Sequence, residues 1–481
     1  MLNVFKRRKI DFTEGPIFWR LLLFMLPIVL TNLLQVLYDT ADKMVVGQFS
    51  GDPNALGAIG STTFISGLVI NFMIGVGAGA GVVVAQAFGA KRSDEVSRST
   101  HNAFILSFLL SAVMTVIAYA TAVPLLELLD TKEELFDSAL LYLRILYTSI
   151  FATAIYNVGT AVLRAIGDST TSLTIGMISG VINVVLNLFF VIVCGMSVEG
   201  VAIATVISKY YSAFAVVYEL YRRKGESYAF SFKKLIPHRG LILRMLRLGI
   251  PTGVQSSCFS LANLASTAAI NSFEGTVFIS ARSIGTDIDH FSSAIAGAFL
   301  PATLSATGQN FGAKRPDRIK RIFLYSLIQS FVIVGFVANM LRIFSGEIAT
   351  LFIEASDPNI EQKILAVEAW CSVMLSTHFL AGMLNAATGV VRGLGYSILP
   401  LILNLLGTVG ARLVWIYGYF FNLPERGIPE FKQLAYMYPI SWGATALFIG
   451  ILCVIAFIRL EKQLKKEAGE EKEKEKEPAR A

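Results

Sequence analysis

The chain of 481 residues is 54% hydrophobic and only 16% charged, with a mean hydropathy of +0.62. Soluble domains carry about 45–50% apolar and about 25% charged residues, so an ordinary soluble protein is excluded and most of this chain has lipid as its solvent. The formal charge of +7 does not indicate a nucleic-acid binder, because the basic residues lie in short segments between apolar runs rather than on one compact unit.

A spanning helix needs about 20 apolar residues, since the hydrocarbon layer is about 30 Å thick and a helix rises about 1.5 Å per residue. Lys6 to Lys9 form a basic cluster, and the mixed segment that follows is too long for a secretory signal, so the first span is retained. Apolar runs punctuated by Gly, Pro and charge then predict twelve helices, at 17–45, 54–85, 99–123, 136–163, 171–195, 199–222, 246–271, 276–306, 319–343, 362–391, 398–422 and 434–460. With the N-terminus inside, the inner connections hold Lys91, Arg92, Arg98, Arg164, the cluster Arg222 to Arg247, Lys314 to Arg321, and Arg392. The outer ones hold chiefly Lys132, Arg426 and Lys432. The positive-inside bias places both termini in the cytoplasm of a multi-pass cell-membrane protein. The segment from Glu461 to Ala481 is almost wholly Lys and Glu and reads as a frayed or disordered extension of the last helix. Cys194, Cys258, Cys371 and Cys453 are isolated from one another, which indicates packing residues rather than a metal site or disulfides.

An internal repeat organises the rest. Gln86-Ala-Phe-Gly-Ala-Lys-Arg-Ser-Asp94 matches Gln309-Asn-Phe-Gly-Ala-Lys-Arg-Pro-Asp317 at seven of nine positions. Asn157, Thr160, Val162, Arg164, Gly167 and Ser169 recur with the same spacing as Asn385, Thr388, Val390, Arg392, Gly395 and Ser397. Six spans per repeat make the two copies parallel, related by an axis along the membrane normal. The expected architecture is an all-α membrane protein with two pseudo-symmetric six-helix lobes, 1–222 and 246–460, a cytoplasmic linker at 223–245 and the charged tail at 461–481.

The repeated Gln-x-x-Gly-Ala-Lys element, Pro27 and Pro251 in the first and seventh spans, and Leu37-Tyr38 followed by Asp42 and then Val46-Gly47 resemble the multidrug and toxic compound extrusion (MATE) family over residues 15–460. The resemblance implies alternating access by two lobes and export of amphipathic or cationic small molecules against inflow of protons or sodium. It implies no cofactor beyond the coupling ion, no enzymatic activity, and a monomer in the bilayer.

An intramembrane carboxylate is the natural coupling group, since a charge in lipid costs several kcal/mol. Asp42 stands at the position of the family's N-lobe acid; alternatively it caps the outer end of its helix in water. Where one branch of the family has an Asn and an Asp on the fifth span and a Thr on the sixth, this chain has Asn183, Asn187 and Thr205. Residues four apart share a helix face, so the two amides can act together, or they can serve helix-to-helix hydrogen bonding. Asn187 replaces an acid of that branch, which weakens a sodium cage more than a proton site. Lys209, one turn beyond Thr205, is too deep to snorkel fully to the inner surface. It faces the lobe interior and pairs with Asp42, or it marks a bend or a local water path.

In the second half no acid stands on the tenth span, and the seventh reads Gln255-Ser-Ser-Cys-Phe259. The eighth carries Arg282, Asp287, Asp289 and His290: Asp289 and Arg282, seven apart, share a face and can pair, or Gln255, Asp287 and Asp289 line the substrate cavity. Arg412 requires a partner, and His378 reads as packing or a polar contact rather than a metal ligand. A flippase for lipid-linked saccharides is the competing function; it calls for a strongly cationic cavity and often extra helices. No phosphate loop for an ATP-driven pump and no catalytic constellation is visible.

Overall fold

The computed structural model describes residues 9–354 and 356–476, and among them every regular element is a helix. We label them α1 (Ile17–Phe49), α2 (Ala55–Gly89), α3 (Ser93–Leu128), α4 (Glu133–Tyr147), α5 (Ile150–Ala165), α6 (Thr170–Val193), α7 (Val198–Arg222), α8 (Arg239–Ile270), α9 (Val277–Gly312), α10 (Pro316–Ile343), α11 (Ile360–Gly393), α12 (Ile398–Asn422) and α13 (Met437–Lys476). Among the described residues, nine helices are long and apolar enough to cross a membrane, and α4 with α5, bent by 48°, makes a tenth span. The remaining two are α8 and α9, of 32 and 36 residues, whose polar interiors lower their hydropathy but whose length suffices. The chain is thus a twelve-span, two-lobe helical membrane protein. Its exterior is apolar, with Phe214, Phe336 and Val116 65–71% exposed, as a lipid-facing surface requires.

Charged helix ends lie beyond the expected boundaries. α3 starts at Ser93 with Asp94 and Glu95 in its first turn, where carboxylates complement the helix dipole. α8 starts at Arg239 rather than 246, because its basic first turns bury Met245 and Leu248 while their charges stay at the surface. The charged tail continues α13 as helix to Lys476, whereas 477–481 lie outside the described residues. Cys371 and Cys453 are buried as packing residues, Cys258 is half-buried, and Cys194 is exposed.

The repeat is visible atom by atom at the face that carries the chain ends. Gly167 and Gly395, at φ +87° and +96°, terminate α5 and α11 in the left-handed conformation that glycine alone adopts without strain. Gln86 Nε2 donates to the carbonyl of Gly393, 2.8 Å away, and Gln309 Nε2 donates to that of Ala165 at the same distance. A Cβ on Gly89 would lie 1.9 Å from the Gln309 carbonyl oxygen, and one on Gly312 would lie 1.9 Å from that of Gln86. α2 and α8 also meet backbone to backbone, since a Cβ on Gly75 would sit 2.3 Å from the Gly253 nitrogen and one on Gly79 2.5 Å from the Gly249 nitrogen. Small residues four apart permit this approach between membrane helices. These contacts seal the two halves together at the terminal face.

A strap ahead of α1 reinforces the seal. Ile10 N–H donates to Gly167 O at 3.0 Å on one half, and Phe12 N–H donates to Gln309 Oε1 at 2.8 Å on the other. Arg318 Nη2 holds the carbonyls of Phe12, Glu14 and Gly15 at 2.7–2.9 Å. Among the described residues, the hydrogen bonds between the halves all lie between this face and the level of Asn32 and Leu68.

Candidate functional site

Beyond the seal lies a cavity of about 650 Å³, lined by α1, α2 and α4 to α7 of the first half and by α8, α9 and α11 of the second. Among the residues that α1 brings into it, Gln35, Asp39 and Asp42 follow one another at helical spacing. Gln35 Nε2 donates to Asp39 Oδ1 at 2.7 Å. Asp42 is half-buried and accepts a hydrogen bond from Asn187 Nδ2. Asn187 Nδ2 also lies 3.5 Å from Asn183 Oδ1, and Asn183 Nδ2 donates to Thr205 Oγ1 at 3.3 Å. The four candidates Asp42, Asn187, Asn183 and Thr205 therefore form one polar chain across α1, α6 and α7. Asn187 Oδ1 is buried with no hydrogen-bond partner, so an oxygen beside the carboxylate is available to a cation or to the proton of a neutral carboxyl. Close packing holds this arrangement, for a Cβ on Gly180 would fall 1.7 Å from the Tyr38 ring.

Lys209 lines the same cavity within electrostatic range of both Asp39 and Asp42. The expected ion pair with Asp42 is not formed at contact distance among the described residues. The ammonium acts through space, and the carboxylate is occupied by an amide donor instead. Asp39 and Tyr142, not singled out from the sequence, complete this end of the cavity; Asp39 stands three residues before Asp42, the spacing that marks a shared face.

The candidates of the second half behave differently, and none of Gln255, Asp287 and Asp289 lines the cavity. Gln255 is buried and accepts a hydrogen bond from Arg392 Nη2 at 2.8 Å. Asp289 does not pair with Arg282. Its Oδ1 lies 2.6 Å from His378 Nδ1, and its Oδ2 accepts from Ser293 Oγ at 3.0 Å. Spacing along α9 could propose only a partner on α9, whereas the histidine comes from α11. Asp287 is half-buried on the same helix. His378 stacks on Trp442 at 5.0 Å, and Arg412 lies over the Tyr438 ring at 4.8 Å. Arg412 occupies a single α-turn between two π-helical stretches, Leu405–Gly410 and Val414–Tyr419. Among the described residues no cluster of His, Cys, Asp or Glu could hold a metal ion.

Arg164 and Arg392 depart furthest from expectation. Read as charges of the inner connections, they lie in the last turns of α5 and α11 and line the cavity.

A family model described as MatE matches residues 27–189 and 251–417. The probable multidrug resistance protein YpnP of Bacillus subtilis (strain 168) is 29% identical over 86% of this chain and 89% of its own length. The probable multidrug resistance protein YoeA of the same strain is 26% identical over 83% of this chain and 86% of its own. A solved structure described as the outward-facing conformation of a multidrug resistance MATE family transporter superposes with a TM-score of 0.83, covering 95% of this chain and 99% of that one at 21% identity. At that identity the likeness speaks for the fold alone.

Proposed function

The chain belongs to the MatE family, and from that premise we propose that it is a secondary active multidrug exporter, moving amphipathic or cationic small molecules by alternating access and driven by protons in preference to sodium. The observation that carries this reading is a half-buried carboxylate, Asp42, held by an amide donor in a cavity that also contains an ammonium. The ammonium of Lys209 repels Na⁺ and stabilises the carboxylate until a proton arrives. Neutral Asp42 then leaves Lys209 with Asp39 alone, a change in local charge that biases a two-state lobe. In this scheme lobes 1–222 and 246–460 rock about the linker 223–245, with both termini cytoplasmic and one chain as the working unit in the cell membrane. The seal at the terminal face then closes the cytoplasmic side, so the cavity belongs to an outward-directed state. A flippase for lipid-linked saccharides is not favoured, since the spans number twelve and the relatives described above are named as multidrug resistance proteins.

Efflux of a fluorescent cation from proteoliposomes, under separately imposed proton and sodium gradients, tests the reading. A proton gradient is expected to drive uphill transport and a sodium gradient to add little. Full transport on sodium alone refutes proton coupling, and none under either gradient refutes secondary transport of this class.

A further inference from the structure

The arginines that the repeat places at equivalent positions, Arg164 and Arg392, enter one cavity from the two halves of the molecule. Both sit in the last turn of a helix, where a cation complements the dipole. That role would be met with the guanidinium in water or pointing at lipid headgroups. Instead Arg392 is 4% exposed, its Nη2 donates only to the neutral Gln255, and its Nε is buried without a hydrogen-bond partner. Arg164 is half-buried with the phenol of Tyr156 as its electrostatic neighbour. Among the described residues no carboxylate pairs with either guanidinium, whereas Asp168 at the same face is paired with Arg223 at 2.6 Å. Two cations held in a shared cavity without a counter-charge represent a large unrecovered desolvation cost, and guanidinium has the fork geometry that fits oxyanions.

We propose that Arg164 and Arg392 form an oxyanion subsite at the floor of the cavity, next to the seal, which receives a carboxylate or phosphate group of the transported molecule. This rests on the reading of that cavity as the transport cavity. With Asp39 and Asp42 at the other end, the cavity is polarised along its length. Its preferred cargo is zwitterionic: an amphipathic molecule whose cationic end lies toward α1 and whose oxyanion lies between the arginines. Asn157 and Asn385, a second repeat-related pair lining the cavity, stand two turns before each arginine on the same helices and supply neutral donors on the way. Because one guanidinium comes from each half, a bound oxyanion bridges the lobes, so the cargo itself stabilises the sealed arrangement.

The probes are rhodamine B, a zwitterion at neutral pH, and its methyl ester, which differs only in lacking the carboxylate. Binding of each to the purified full-length protein in nanodiscs is measured by fluorescence polarisation. Wild type is expected to bind rhodamine B about tenfold or more tightly than the ester, as one charge-assisted contact implies. Arg164→Gln and Arg392→Gln should each abolish most of that preference, and Arg392→Lys should restore part of it. Equal binding of the two probes by wild type, or binding of neither, overturns the proposal without recourse to any variant. Equal loss of both probes in the glutamine variants, with a folded protein by size exclusion, assigns the arginines a structural role and also overturns it. Discrimination between the probes that persists where no gradient drives efflux leaves this subsite standing and removes only the secondary-transport reading.

Discussion

The two halves share their seal and differ in their chemistry. At the terminal face, Gln86 and Gln309 reach across to equivalent carbonyls at equal distances, and Gly89 and Gly312 each pack on the other's partner. Farther along the helices the resemblance is gone. The first half presents Asp39, Asp42, Asn183 and Lys209 to a cavity. The second half closes its polar groups onto one another and onto rings: Asp289 on His378, His378 on Trp442, Arg412 on Tyr438. The difference teaches that a duplicated scaffold must keep what joins the copies, because each side of that contact is the other's template. What each copy encloses is free to change. Under the proposed proton coupling, the first half supplies the ion-responsive wall of the cavity, while the second closes its acid onto a histidine.

The sharpest way to break this contrast is to neutralise the acid of each half. Asp42→Asn is expected to bring gradient-driven efflux down to the level of empty vesicles. Asp289→Asn should retain about half or more, because Asp289 does not line the cavity and asparagine keeps an oxygen facing His378. Equal losses in a proteoliposome assay would mean that both halves couple. The seal makes the opposite demand. Gln86→Leu and Gln309→Leu each strand a buried carbonyl, at about 1–3 kcal/mol; Gln309→Leu also strands the buried Phe12 N–H, whereas the Arg244 guanidinium that faces Gln86 is exposed and keeps Glu95 as a neighbour. The unfolding temperature should fall in both variants and further in Gln309→Leu, and a larger loss in Gln86→Leu would show that the Arg244 contact carries more of the seal. The smallest expected effect sharpens the chemistry of the first half. Lys209→Met should raise the apparent sodium affinity of transport by about tenfold, equivalent to about 1.4 kcal/mol of relieved repulsion, and an unchanged sodium response would remove the ammonium from the ion selectivity.

The fold was legible because lipid as a solvent demands long apolar helices and the duplicated motifs set their order. Even α8 and α9, too polar for a hydropathy criterion, are marked by their neighbours and by the repeat. The polar chain Asp42, Asn187, Asn183 and Thr205 was legible through helical spacing combined with the family resemblance. Three things were not. Arg164 and Arg392 looked like loop charges, because a charge one turn inside a helix end has the same sequence position whether it turns to the surface or to the interior. Spacing offers Asp289 a partner seven residues away on its own helix, whereas His378, 2.6 Å from its carboxylate, stands on another. Asp39 has no mark in the sequence beyond standing one turn from Asp42; its place on the cavity wall depends on the rotation of α1, which apolar periodicity fixes poorly in a helix that buries little of its surface.

The strap before α1 has a consequence in the timing of synthesis. Phe12 N–H and its acceptor on Gln309 are 297 residues apart, and at about 5–20 residues per second of translation Phe12 emerges tens of seconds before that acceptor. Ile10 can dock on Gly167 once the fifth helix is made, but Gln309 arrives only with the ninth and Arg318 with the tenth. Through that interval the newborn first half has its basic end unlatched and Gly75 and Gly79 without the α8 backbone that fills them. Insertion of the second half is therefore a closing step for the first, and a ribosome stalled between the halves would leave a six-span product with its glycine face unfilled.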